Sequence, residues 1–143
     1  MSEAYLLPAQ TLLDLCSGED NGARAWAPAV PTAKLRVSVV SVAQARAFIE
    51  AMTDTSGRRA LNNRLNQLLA TIVADGGPPL PLDEQVATVW QGLNLDSKLD
   101  REKVQQTARQ VYATALTHSL AVVERARPHH DYLHKLGLEV VAL

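Results

Sequence analysis

Leu120-Ala121-Val122-Val123 follows directly on a stretch, Lys103 to His118, in which Val104, Ala108, Val111, Tyr112, Ala115 and Leu116 recur at helical spacing. A four-residue apolar run with two β-branched side chains is too short for a helix and reads as a buried strand. A helix that leads straight into such a strand points to a parallel sheet, whose strands are joined by helical crossovers and covered on both faces.

The rest of the chain repeats the alternation. Tyr5-Leu6-Leu7, closed by Pro8, reads as a first strand, Leu35-Arg36-Val37-Ser38-Val39-Val40 as a second, and Leu138-Glu139-Val140-Val141, after Gly137, as a last short one. Between them lie a short helical segment from Thr11 to Cys16 and a further helical turn from Ala23 to Ala27. A helix starting at Ser41 buries Val42, Ala45, Ile49 and Met52, with Gln44 closing a capping box on Ser41. A longer helix from about Arg58 to Asp75 carries Leu61, Leu65, Leu68, Leu69 and Ile72 on one face, and Gly76-Gly77-Pro78-Pro79 ends it. Leu80-Pro81-Leu82 reads as an extended connector or edge strand, and Asp83 caps another helix that buries Val86, Val89, Trp90 and Leu93. Asp96 to Lys103 reads as a charged connector. The expected fold is a three-layer α/β/α domain over residues 1–143, with a mainly parallel sheet of four to five short strands and its site at their carboxyl ends.

The 143 residues, 47% of them hydrophobic, are enough for one substantial core. Fourteen Lys and Arg against fifteen Asp and Glu leave a formal charge of −1, so contact with nucleic acid would rely on a local basic patch. The single cysteine, Cys16, sits in an apolar run and reads as a buried thiol, not a nucleophile; a lone cysteine suits a reducing compartment. No stretch reaches the roughly 18 apolar residues of a membrane span, and residues 1–8 lack the basic and apolar regions of a secretion signal, so a cytoplasmic location is expected.

Several segments, in order, resemble PIN-domain toxins of the VapC type. They are Tyr5-Leu6-Leu7 with Leu12-Leu13-Asp14-Leu15, Ser38-Val39-Val40-Ser41-Val42-Ala43, Pro81-Leu82-Asp83-Glu84-Gln85-Val86-Ala87, Ala113-Thr114-Ala115-Leu116 through Val123, and Leu136-Gly137-Leu138-Glu139-Val140-Val141. The resemblance implies a metal-dependent ribonuclease in which carboxylates at the strand ends hold Mg²⁺ or Mn²⁺. Hard cations need oxygen ligands, and the bound ion lowers the pKa of a water and offsets charge on the phosphate. It also implies a homodimer and a small antitoxin whose tail fills the cleft.

The family's acidic positions fall on residues that carry no charge here. The first falls at Pro8, in Pro8-Ala9-Gln10, the second at Gln44 and the third at Ala108, with Gln106 at a further commonly acidic place; those after the Val122-Val123 strand fall on Ala126 and His129. Thr107 and Arg109, beside Ala108, do not rescue the third by a one-residue slip. The expectation is a catalytically degenerate protein of a toxin–antitoxin or plasmid-stability lineage that acts through protein contact and needs no cofactor. The alternative is a ribonuclease using Mg²⁺ or Mn²⁺ through displaced acids. For it, Asp14, otherwise a structural acid, and Glu124, otherwise a solvated strand end, are the candidates, with Gln10 and Gln44 as neutral ligands. A nucleic-acid binder without cleavage is a third reading, with Arg58, Arg59, Arg64, Arg101, Lys103 and Arg109 available to line a groove; the simpler view is that these solubilise helix surfaces.

One further cluster carries chemistry. In His129-His130-Asp131-Tyr132-Leu133-His134, a helix would put His130 and His134 on one face, able to share Zn²⁺ or Ni²⁺ with His129 or Asp131 as a third ligand. The simpler reading is a solvated or packed turn. His118 is better explained by a helix C-terminus, whose partial negative charge favours it.

Overall fold

The structure, a computed structural model, describes residues 4–143. Four strands, β1 (Tyr5–Leu6), β2 (Leu35–Arg36), β3 (Ala121–Glu124) and β4 (Val140–Ala142), form one sheet in the order β2-β1-β3-β4, with every pairing parallel. The helices between them are α1 (Ala9–Cys16), α2 (Gly22–Trp26), α3 (Val39–Glu50), α4 (Thr55–Gly76), α5 (Glu84–Asn94), α6 (Ser97–Arg101), α7 (Gln106–His118) and α8 (His130–Lys135).

Alternation along the strands divides the core. Leu6 and Val122 face one layer, with Val86 and Leu93 of α5, Leu99 of α6, Val111 and Tyr112 of α7 and Leu133 of α8. Leu7 and Val123, one residue later in each case, face the other, with Leu12 and Leu13 of α1, Ala45 and Ile49 of α3, and Leu65, Leu69 and Ile72 of α4. The period of two makes neighbouring side chains serve opposite faces. Each fully buried Leu, Ile or Val contributes roughly 1.5–3 kcal/mol. This is the expected α/β/α arrangement. Thr11 ties α1 to the sheet, its hydroxyl donating to the Val123 carbonyl at 2.6 Å.

Several local expectations are corrected. The second strand stops at Arg36, and the chain turns helical at Val39 instead of continuing extended to Val40. Ser38, not Ser41, is the cap: its hydroxyl accepts from the Ser41 N–H at 3.1 Å. The Ser41/Gln44 capping box therefore does not form. The extended backbone just before the cap is held by Leu80, whose N–H donates to the Val37 carbonyl and whose carbonyl accepts from the Val39 N–H. Leu80 is thus an edge contact, in a parallel bridge with Ser38. The charged connector at 96–103 contains helix α6, because the Asp96 carboxylate accepts from both the Lys98 and Leu99 N–H groups. The following helix begins at Gln106, not Lys103, which lies at φ 56°. β4 begins at Val140, and Leu138 is a core residue ahead of it, 2% exposed.

Candidate functional site

The carboxyl ends of β1 and β3 open onto a cleft of about 310 Å³ between α1, α3 and α7. Pro8, Ala9 and Gln10 come from the start of α1, Gln44 and Phe48 from α3, Thr107, Ala108 and Tyr112 from α7, and Glu124 and Arg127 from the end of β3 and the turn after it. Three positions matched to the family's acids, Pro8, Gln44 and Ala108, are brought together here although 36 and 64 residues separate them in sequence. Ala126 is exposed and does not line the cleft, and Gln106 turns toward α5, accepting from the Trp90 indole N–H at 3.0 Å.

A second cleft of about 340 Å³ adjoins the first through Gln105, Ala108, Tyr112, Glu124 and Arg127, and adds Lys103, Pro128 and His129. At the junction four side chains form a connected chain. The Tyr112 hydroxyl donates to Glu124 Oε1 at 2.6 Å and lies 2.9 Å from His129 Nε2. His130 Nε2 lies 2.8 Å from the same Glu124 oxygen, and His130 Nδ1 accepts from the Arg127 backbone N–H at 3.2 Å. An accepting Nδ1 puts the His130 ring proton on Nε2, directed at Glu124. With the one phenolic proton of Tyr112 also directed there, His129 Nε2–H donates to the phenol oxygen.

Glu124 is therefore not the solvated strand end of the simpler reading; its side chain is 13% exposed and serves as the acceptor of this chain. Burial, and then the neighbouring Glu124 carboxylate, push the Tyr112 phenol far above its ordinary range, so it is held as an O–H donor. Burial, followed by the adjacent His130, lowers the pKa of His129 and keeps its ring neutral.

The histidine cluster is rearranged relative to expectation. Glu124, His129 and His130 place their ligating atoms within 4.8 Å of one another, whereas His134, exposed on α8, and Asp131, also exposed, are outside the group. Sequence spacing along one helix could not reveal Glu124 as the third member, because it comes from the strand end. Tyr112, the hub of the chain, was legible only as a buried helix residue.

Asp14 is buried at 8% and does not line the cleft: Gln10 Nε2 donates to it at 2.9 Å, and Arg125 grips both of its oxygens at 2.9 and 3.2 Å. Arg109 is not a groove residue; it is 4% exposed, donates to the Val104 and Leu93 carbonyls and pairs with Asp100 at 2.9 Å. Arg64 donates to the Cys16 carbonyl, and the Cys16 thiol is buried, with its pKa raised by that burial. Arg58, Arg59 and Arg64 on α4 and Arg101 and Lys103 around α6 lie on opposite layers of the sheet, so they do not form one basic stripe. Among the described residues no helix is long and apolar enough to cross a membrane.

Mg²⁺ or Mn²⁺ at the family's site would need several oxygen anions. Among the described residues, the donors that line the main cleft are one carboxylate, Glu124, with the neutral side chains of Gln10, Gln44, Gln105, Thr107 and Tyr112, and Glu124 already accepts two hydrogen bonds. This donor set does not fit a hard divalent cation in the family's manner.

No family model matches the sequence. It is 27% identical over 101 residues to the toxin FitB of Neisseria gonorrhoeae, a match covering 71% of each chain. In three dimensions it is similar to the crystal structure of FitAcB from Neisseria gonorrhoeae, with a TM-score of 0.77 and 22% identity over 95% of each chain. The structure of FitAB bound to an IR36 DNA fragment gives the same TM-score at 20% identity, covering 96% of this chain and 94% of that one. A VapBC-family structure, VapBC-5 from Mycobacterium tuberculosis, gives 0.69 at 20% identity over 99% of each chain. With its parallel sheet, its two helical layers and its cleft at the ends of β1 and β3, the chain has the PIN-domain fold of the VapC and FitB toxins.

Proposed function

We propose that this protein is a catalytically degenerate member of the toxin–antitoxin lineage that acts by binding and not by cutting RNA. The observation that carries the reading is the cleft itself: the places matched to the family's acids hold Pro8, Gln44 and Ala108, and the one lining carboxylate among the described residues, Glu124, is committed to Tyr112 and His130. Without anionic ligands a divalent cation loses most of its attraction to the site. The similar solved structures include toxin–antitoxin complexes, several of them bound to DNA, which supports a small antitoxin-like protein as the partner and leaves nucleic acid as a second contact of that complex. A homodimer belongs to the same proposal.

The competing reading is a ribonuclease that works through displaced acids. Asp14 gives it little support because Arg125 and Gln10 occupy its carboxylate outside the cleft, so it rests on Glu124 alone. Calorimetric titration with Mn²⁺ beside a labelled-RNA cleavage assay, with and without EDTA, separates the two. Neither binding nor EDTA-sensitive cleavage at millimolar Mn²⁺ is the expected outcome. Cleavage that EDTA stops and Glu124→Gln abolishes would overturn it.

A further inference from the structure

The cleft that lacks a hard-cation site holds a different donor set at its far end. Two imidazoles and a carboxylate, from His129, His130 and Glu124, converge within 4.8 Å. This is the two-His, one-carboxylate combination that suits Zn²⁺ and its borderline relatives Co²⁺ and Ni²⁺, with a fourth position left for water or another ligand. His130 is buried and its ring is perpendicular to that of His129, at 85° with centroids 5.4 Å apart. The two rings are thus set by packing and not by free rotation. The second cleft, of about 340 Å³, is lined by Glu124 and His129 and gives an ion a route in and an open side for its remaining ligand.

We propose that Glu124, His129 and His130 form a site for a borderline transition-metal ion, Zn²⁺ being the reference case, at the junction of the two clefts. The metal-free arrangement is the hydrogen-bonded form of that site. Of the three ligand atoms, Glu124 Oε1 and His130 Nε2 stand 2.8 Å apart, and the Tyr112 hydroxyl bridges Glu124 to His129 at 2.6 and 2.9 Å; ligands around a tetrahedral Zn²⁺ stand about 3.3 Å apart, so the Glu124–His130 pair opens by roughly half an ångström to admit the ion. On binding, each imidazole moves its proton from Nε2 to Nδ1 and coordinates through Nε2. At His130 the Arg127 N–H that now points at Nδ1 must turn away, which the exposed turn at Arg125 to Pro128 allows. Tyr112 leaves His129 and keeps its hydrogen bond to Glu124, holding the carboxylate in place as an outer-shell partner. The site shares Glu124 and the family-matched His129 with the cleft discussed above, but it holds a borderline ion through two imidazoles, so its failure leaves the argument about Mg²⁺ and Mn²⁺ unchanged.

The test uses the full chain without a histidine tag, titrated with Co²⁺ and followed by its visible absorption, with Zn²⁺ displacing the Co²⁺. The expected result is one equivalent with intense tetrahedral bands, quenched by Zn²⁺ and unaffected by excess Mg²⁺. His129→Ala is the informative variant because His129 is half-buried at the cleft edge, whereas a change at buried His130 risks the fold. It should weaken binding by at least ~10–100-fold, the range lost when even an outer partner of a metal ligand is removed. His134→Ala and His118→Ala, at exposed histidines outside the group, should leave the bands unchanged. The proposal is overturned if no tetrahedral band forms at millimolar Co²⁺, or if the band survives His129→Ala, or if it disappears with His134→Ala or His118→Ala.

Discussion

Arg109 shows how far a side chain's role depends on its surroundings. In sequence it is one of several basic residues near a helix start; in the fold its guanidinium ties the end of α5, helix α6 and the link between α6 and α7 to α7 through two carbonyls and Asp100. Asp100 is largely exposed, so the ion pair itself adds little, and the main loss on truncation is the donors to two buried carbonyls. Arg109→Met should therefore cost about 2–4 kcal/mol, read as a lowered denaturation midpoint, and Asp100→Ala well under half of that. His129 gives a pH signature. Its folded pKa lies below the ordinary 6.5, first because burial disfavours the charged ring, so the unfolded chain binds more protons than the folded one in that range. The stability tied to its neutral form is complete above pH 6.5 and is lost as pH falls through the folded value. Metal-free protein followed by NMR should show His129 titrating below 6.5, and His129→Gln should flatten the acid side of the stability curve.

Helices were more legible than their ends. The apolar spacing of 61–72 gave the buried face of α4 correctly, with Leu65 and Ile72 fully buried, and Asp83 caps α5 as its residue type implies, accepting from the Val86 N–H at 3.0 Å. Leu65→Ala should cost ~2–5 kcal/mol by leaving a cavity under α4, and Asp83→Ala about 1 kcal/mol by freeing one N–H, both measurable by chemical denaturation. The start of α3 is hidden in the sequence because Val37 to Val40 has strand composition throughout; only the pairing with Leu80, more than forty residues away, decides that the extended backbone ends at Ser38. α6 is hidden for a related reason. Five residues carry too little periodicity to announce a helix, and its single buried side chain, Leu99, is visible only once α5 and α7 are in place.

The α/β/α layering was readable from the order of apolar runs, since helices that separate short buried strands leave few other arrangements. The cleft was readable by position, at the strand ends, and by family likeness for Pro8, Gln44 and Ala108. The chain through Tyr112, Glu124, His129 and His130 was not, because a strand end, a mid-helix tyrosine and a turn meet only in three dimensions.

β1 lies between β2 and β3 at the middle of the sheet, and Thr11 just beyond it bonds to Val123, 112 positions further along the chain. The two-residue strand that is synthesised early can pair on one side with β2 but must wait for most of the polypeptide before its other edge is covered. Closing so long a loop costs entropy before any pairing repays it, which makes assembly of the centre a slow, late event. During that interval Tyr5–Leu6 presents an open apolar edge to other chains, so newly made protein is more exposed to aggregation than the finished fold.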